Sequence, residues 1–206
     1  MTSPRRDVNI SSGRGKGPSG GATEAMEHWA EWQKEYRHGI VLIWPPDEVR
    51  APINALRARH DPVSFSYTEA HISLSPPLLR APDASDWRAI DGAVAAVAPV
   101  MVEAGPVEAW LHQSVIYLAI RPVAALTTIR NALLATGLFA PPRHKEFVPH
   151  MTIMEGLSGT RATEAILAEM KRTVASGSFR LDRLAYLRPD RDFRFTPERY
   201  IPLSGA

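Results

Sequence analysis

The sequence predicts an α+β fold of two lobes packed side by side. Three observations carry this. Strand-like and helix-like segments follow one another as β-α-β-α-β-β-α-β-α-β-β, with hairpin-like junctions that a doubly wound parallel sheet lacks. The pattern His, apolar, Ser/Thr, apolar occurs twice, as HISL at 71–74 and HMTI at 150–153. Each copy lies on a strand-like run that follows a helix-like one, so the chain reads as two similar halves.

Residues 1–22 are rich in Ser, Gly, Pro and Arg without hydrophobic period, which predicts a disordered basic tail. GKGPSG at 15–20 matches G-x-G-x-x-G in form, but no strand precedes it and Pro18 interrupts any helix after it. A short helix is predicted over 23–36, with Thr23 as N-cap and Met26, Trp29 and Tyr36 on one face. The body, 37–206, then forms a single bilobal domain. GIVLIW (39–44) is a buried strand stopped by Pro45 and Pro46, and 47–59 is a helix with Ile53 and Leu56 on its apolar face. Strand 70–75 carries the first motif, and 83–101 is a helix. Runs 107–112 and 114–120 are paired strands. Helix 123–137 stops at Gly137, and strand 150–154 carries the second motif. Helix 160–176 is capped by Ser158 or Thr160, and 178–188 with 193–203 close the chain as a hairpin across PDRD.

Composition narrows the function classes. A chain of 206 residues with 45% apolar content suits one domain with a substantial core. No apolar run is long enough to span a membrane and no apolar signal core opens the chain, so the cytoplasm is the expected compartment. The absence of cysteine excludes disulfides, a thiolate nucleophile and cysteine-ligated zinc. The formal net charge of +2 resides in the first 24 residues, leaving the body balanced. That argues against a broad nucleic-acid-coating surface and leaves RNA contact to a local basic cleft.

The paired motif carries the chemistry. Residues i and i+2 of a strand share a face about 6.6–7 Å apart. His71 with Ser73, and His150 with Thr152, therefore point one way, while Ile72, Leu74, Met151 and Ile153 point into the core. Two imidazoles and two hydroxyls converging on one pocket suit a phosphodiester. One histidine accepts a proton from the attacking oxygen, the other donates to the leaving oxygen, and hydroxyls donate to the non-bridging oxygens. No metal or cofactor is needed for this.

On HISL, HMTI, the lead-in FVPH (147–150) and the opening VLIWPP (41–46), the chain resembles the 2H phosphoesterase superfamily over about 38–203, in particular the bacterial 2'-5' RNA ligase and RNA 2',3'-cyclic phosphodiesterase group. The resemblance implies two pseudo-symmetric lobes of antiparallel sheet, helices outside, and a central cleft floored by the two motif strands. It implies His71 and His150 as the acid–base pair and Ser73 and Thr152 as phosphate binders. It further implies a metal-independent phosphodiesterase acting on 2',3'-cyclic phosphate ends or 2'-5' linkages of RNA or nucleotides. Glu69 and Ala70 stand where proline often precedes the first histidine, which places a carboxylate beside the site.

Further candidates are Arg143, His144 and Lys145, a basic loop before the second motif that can steer phosphates, and Tyr67 and Tyr117, which can stack on a base. Arg59 and His60 are candidates for the cleft rim, and Phe139 and Phe147 flank the basic loop. The expected partner is an RNA end or a small cyclic-phosphate nucleotide, bound by a monomer with no protein partner. The rival readings are a nucleotide-binding protein that keeps the cleft without turnover, and a metallohydrolase, for which the histidine spacing gives no support. The chain has no P-loop to drive ligation with ATP.

Overall fold

The computed structural model describes residues 26–205. The tail expected over 1–22 and the cap expected at Thr23 lie outside them. The framework is one curled antiparallel sheet of eight strands. These are β1 (Ile40–Ile43), β2 (Ile72–Ser73), β3 (Val100–Trp110), β4 (Val115–Arg121), β5 (His150–Met154), β6 (Gly177–Leu181), β7 (Arg183–Pro189) and β8 (Phe195–Pro202). Their spatial order is β6-β3-β4-β5-β2-β1-β7-β8. The two lobes are the two four-stranded halves of this sheet, and they meet where β2 pairs with β5 through Ile72 and Met151. The motif strands are thus the two innermost strands.

Among the described residues six helices accompany the sheet: α1 (Glu31–Lys34), α2 (Asp47–His60), α3 (Pro62–Tyr67), α4 (Ala84–Ala95), α5 (Val123–Ala135) and α6 (Glu164–Thr173). None of them is long and apolar enough to cross a membrane.

Burial explains why the motif strands hold their places. One face of the sheet packs Val41, Ile43, Ile72, Leu74, Met151 and Ile153 against Ile90 and Val94 of α4, Leu126, Ile129 and Leu133 of α5, and Met170 of α6. The other face carries a smaller cluster of Trp29, Ile40, Leu42, Ala185, Leu187, Phe193 and Phe195. β1 is buried on both faces, which accounts for its unbroken apolar run. β2 is only two residues long, so ladder bonds alone would not fix it. Ile72 and Leu74 are fully buried, each contributing about 1.5–3 kcal/mol as an upper estimate.

Several expected boundaries move. The N-terminal helix shrinks to α1, although Met26, Trp29 and Tyr36 do share the smaller core cluster. Helix α4 ends at Ala95 because Val100 and Met101 pair with Leu181 and Arg180 in the sheet. Its start is set by Asp83, whose carboxylate accepts from the Ser85 and Asp86 N–H groups. Helix α6 begins at Glu164 with Thr163 as its cap, and Ser158 instead donates to Asp61. Helix α3 has no counterpart in the expected order. The closing run 178–188 is two strands, not one: β6 pairs with β3 in one half, Asp182 makes the crossing, and β7 pairs with β1 and β8 in the other. Helix α5 does stop before Gly137, whose φ of 71° is the left-handed conformation that ends helices.

Candidate active site

The pairing of Ile72 with Met151 fixes the geometry of the site. In antiparallel register it sets His71 opposite Thr152 and Ser73 opposite His150. Each imidazole therefore stands beside the other strand's hydroxyl, and the two histidines lie on the diagonal, with Cα atoms roughly 7–8 Å apart. A phosphoryl group fits between side chains at that spacing. All four residues line one cleft of about 220 Å³, together with Arg57, Tyr67, Glu155 and, from the N-terminal segment, Trp32 and Tyr36.

The histidines are held identically. His71 Nδ1 lies 2.8 Å from the Glu69 carbonyl oxygen, and His150 Nδ1 lies 2.7 Å from that of Val148. A carbonyl only accepts, so each Nδ1 carries the proton and each Nε2 is left to serve the cleft. Around His150, the rings of Trp110 and Tyr117 stand edge-on at 5.0 and 5.4 Å between centroids. Burial pushes the His71 pKa down to about 4, helped by the charges of Arg57 and His150 and opposed by the Glu69 carbonyl bond. His71 is therefore neutral at physiological pH.

A stability prediction follows. The folded pKa of His71 lies below its unfolded value of 6.5. The native state thus binds fewer protons than the unfolded state between those values. The stability tied to neutral His71 is complete above pH 6.5 and is lost as pH falls toward 4. His71→Gln is expected to flatten this part of the acid slope, read as the urea midpoint at pH 7 against that at pH 4.5. Equal slopes in variant and wild type would contradict the burial argument.

Arg57, absent from the sequence-level candidates, underpins the site. It is 1% exposed. Its guanidinium donates to the Thr152 carbonyl at 2.9 Å, to Ser64 Oγ at 2.9 Å and to the Thr68 carbonyl at 3.2 Å. It thereby ties α2 to the second motif strand and to the segment leading into the first. Ser64 in turn donates to the Glu155 carboxylate. Glu155 and Asp61 offset the cost of burying the charge. Asp61 accepts from the Glu155 N–H, the Ser158 N–H and the Ser158 hydroxyl at 2.7–2.9 Å. Burial alone would raise its pKa, but these bonds together hold it low.

The other candidates separate. Tyr67 lines the cleft. Tyr117 does not: it is 3% exposed behind His150, and its hydroxyl donates to Glu108 at 3.2 Å. Burial, with Glu108 adding to it, pushes its pKa up to about 12. Its position opposite Thr152 in the β4–β5 register makes it a supporting wall, not a stacking surface. Arg143 and His144 border an adjoining hollow of about 230 Å³ that shares Ser73, His150 and Tyr36 with the cleft, and Arg143 pairs with Glu35. Phe147 borders the same hollow beneath the Arg130 guanidinium. Lys145 is exposed and borders neither hollow. Arg59 pairs with Glu169 instead of reaching the rim, His60 Nε2 is buried away from the cleft, and Phe139 is core. Glu69 turns from the cleft to accept from Arg50 and from Asn54, so its charge does not oppose an anion there. A larger hollow of about 610 Å³ beside Trp44, Arg50 and Tyr200 contains no histidine.

Comparison with known proteins gives a consistent picture. The sequence model of the 2'-5' RNA ligase superfamily matches residues 45–193. A Bacillus cereus (strain B4264) protein named "Putative phosphoesterase" is 28% identical over 133 residues, covering 61% of this chain and 74% of its own length. The crystal structure of E. coli LigT with 3'-AMP superposes with a TM-score of 0.54 at 20% identity, over 82% of this chain and 98% of that one. TT0787 of Thermus thermophilus superposes with a TM-score of 0.54 at 17% identity, over 81% and 97%. At these identities the solved structures establish the fold.

Proposed function

The chain belongs to the 2'-5' RNA ligase superfamily, a family of phosphoesterases, and from that premise we propose that it is a metal-independent phosphodiesterase acting on 2',3'-cyclic phosphate ends or 2'-5' linkages of RNA or nucleotides. The observation that carries this reading is the diagonal pair of imidazoles, each held by the same Nδ1–carbonyl bond and each beside the other strand's hydroxyl.

The reaction needs only these groups. Nε2 of one histidine takes a proton from water as its oxygen attacks phosphorus in line. The bond from phosphorus to the ribose 3'-oxygen breaks, and the other histidine gives that oxygen a proton. A 2'-phosphate and a free 3'-hydroxyl remain. His71, neutral through burial, suits the role of base. Ser73 and Thr152 donate to the non-bridging oxygens, where charge grows. With a ribose hydroxyl in place of water, the same steps join two ends. That LigT holds 3'-AMP in its crystal supports a nucleotide as the substrate class.

Ser73→Ala and Thr152→Val are each expected to slow turnover by about 10–10³-fold, less than loss of a histidine, because each removes one donor to a charged oxygen. Unchanged kinetics in both would confine the hydroxyls to a structural role. The reading as a whole is tested by incubating the protein, in excess EDTA, with 2',3'-cyclic nucleotides, 2'-5' dinucleotides and cyclic-phosphate-ended RNA. Turnover of at least one class is expected. Tight binding without turnover would favour a nucleotide-binding protein, and activity restored only by added metal would overturn the mechanism.

A further inference from the structure

The family match begins at residue 45, yet part of the cleft is built from residues before it. The segment 26–39 is fastened at both ends. Trp29 is 5% exposed, and its Nε1 donates to the Arg191 carbonyl at 2.8 Å. The Tyr186 hydroxyl donates to the His38 carbonyl at 3.0 Å. Gly39 follows with φ 82°, where a Cβ would collide with the Leu187 carbonyl. Between these ties, Glu35 pairs with Arg143 across the chain. The segment is therefore held against the cleft and is not a loose extension.

What it presents there is aromatic. Phe193, 4% exposed and held at φ 62°, sits at the centre of a ring cluster. Trp29, Trp32, Tyr67 and Phe195 approach it edge-on at 5.1–5.3 Å between centroids, and Tyr36 at 6.3 Å. A left-handed backbone at a bulky residue is costly, and this one sits beside the cleft. A segment serving only to cover apolar surface would bury its own large rings, as Trp29 does. Trp32 instead remains 43% exposed while lining the cleft with Tyr36 and Tyr67. A partly exposed indole beside a site for a phosphodiester offers a flat partner to a flat aromatic group.

We propose that the N-terminal segment supplies the base-binding wall of the cleft: Trp32 and Tyr36, with Tyr67, take the aromatic base of a nucleotide whose phosphate lies between His71 and His150. This rests on the phosphodiesterase reading for where the phosphate lies. The segment then sets which substrates bind, while the two motif strands carry the proton transfers. The larger hollow beside Trp44 offers no comparable site, because Arg50 and Arg183 pair with Asp47 and Asp182 in its lining, and their guanidiniums already cover Trp44 and Tyr200.

The test measures binding and turnover separately. Calorimetric titration of the whole chain compares 3'-AMP with ribose 3-phosphate, which lacks the base, in wild type, Trp32→Ala and Trp32→Phe. Wild type is expected to prefer 3'-AMP. Trp32→Ala is expected to reduce that preference by about 5–150-fold, with Trp32→Phe retaining most of it. In parallel, the ratio of kcat/KM for 2',3'-cyclic AMP to that for ribose 2',3'-cyclic phosphate is expected to fall by a similar factor in Trp32→Ala. Failure of the wild type to turn over any cyclic phosphate, with the 3'-AMP preference intact and dependent on Trp32, would remove the catalytic reading and leave the base wall standing. Absence of a preference for 3'-AMP in wild type, or a preference equal in wild type and Trp32→Ala, would overturn the proposal.

Discussion

Replacing His71 or His150 by alanine is expected to lower kcat by about 10²–10⁴-fold without unfolding the protein. Each imidazole makes one hydrogen bond to its own strand's lead-in and lines the cleft, His150 also resting against Trp110 and Tyr117, while Ile72, Leu74, Met151 and Ile153 hold the strands from the other side. Removing the ring therefore removes a proton carrier and leaves the buried face of each strand in place. The double variant is expected to lose far less than the product of the two single losses, because the pair acts as a unit. Measured kcat for the three variants checks this. A single variant with near-normal turnover would remove that histidine from the chemistry.

The largest stability effect is expected at Arg57. Arg57→Met leaves the Thr152 and Thr68 carbonyls and the Ser64 hydroxyl without their donor in a buried place. It also strips the neighbouring Glu155 and Asp61 of their countercharge. Breaking a buried charged network in this way costs about 3–5 kcal/mol. For a domain of this size that is a fall in Tm of roughly 6–20 °C. Arg57→Lys should recover little, because an ammonium cannot reproduce a planar fork reaching three acceptors. Turnover in the surviving folded fraction should also fall, since the Arg57–Thr152 bond fixes the second motif strand. Thermal denaturation with an activity assay at low temperature separates the two effects. A Tm shift of only a degree or two would show that the neighbouring groups find other partners.

The α+β class and the two motif strands are more legible in the sequence than the boundaries of the elements around them. The period-2 pattern of HMTI marks the first four residues of β5, because Met151 and Ile153 are buried while His150 and Thr152 are not, and only the buried Met154 at its end departs from the alternation. HISL shows the same facing but suggests too long a strand: Pro76 and Pro77 follow closely, and only Ile72 and Ser73 find ladder partners. The helix ending at Ala95 reads on to residue 101 because the periodicity of an Ala- and Val-rich run masks the stop signal of Pro99, and Val100 and Met101 are claimed by pairing with a strand some 80 positions later. That pairing is non-local and leaves no mark on the segment itself. The crossing at Asp182 is hidden for the same reason. Arg57 escapes notice because an arginine in a helix ordinarily reads as solvated. Its position is nonetheless informative, since it falls four residues after Ile53, on the buried face of α2. Trp32, three residues after Trp29 and four before Tyr36, shares their helical face and so reads as one more packing residue, and its place in the cleft comes only from the fold beside it.

Sharing of the proton transfers by two imidazoles at one cleft is read out by the pH dependence of kcat/KM for a 2',3'-cyclic nucleotide in excess EDTA. One histidine must be neutral and the other protonated, so the expected profile is a bell whose limbs belong to the coupled pair. The residual activity of His71→Ala, which lacks the group proposed as base, is expected to lose the ascending limb. The rate should persist through prolonged chelation. A rate without a bell, or one abolished by EDTA and restored by zinc or manganese, would contradict that sharing.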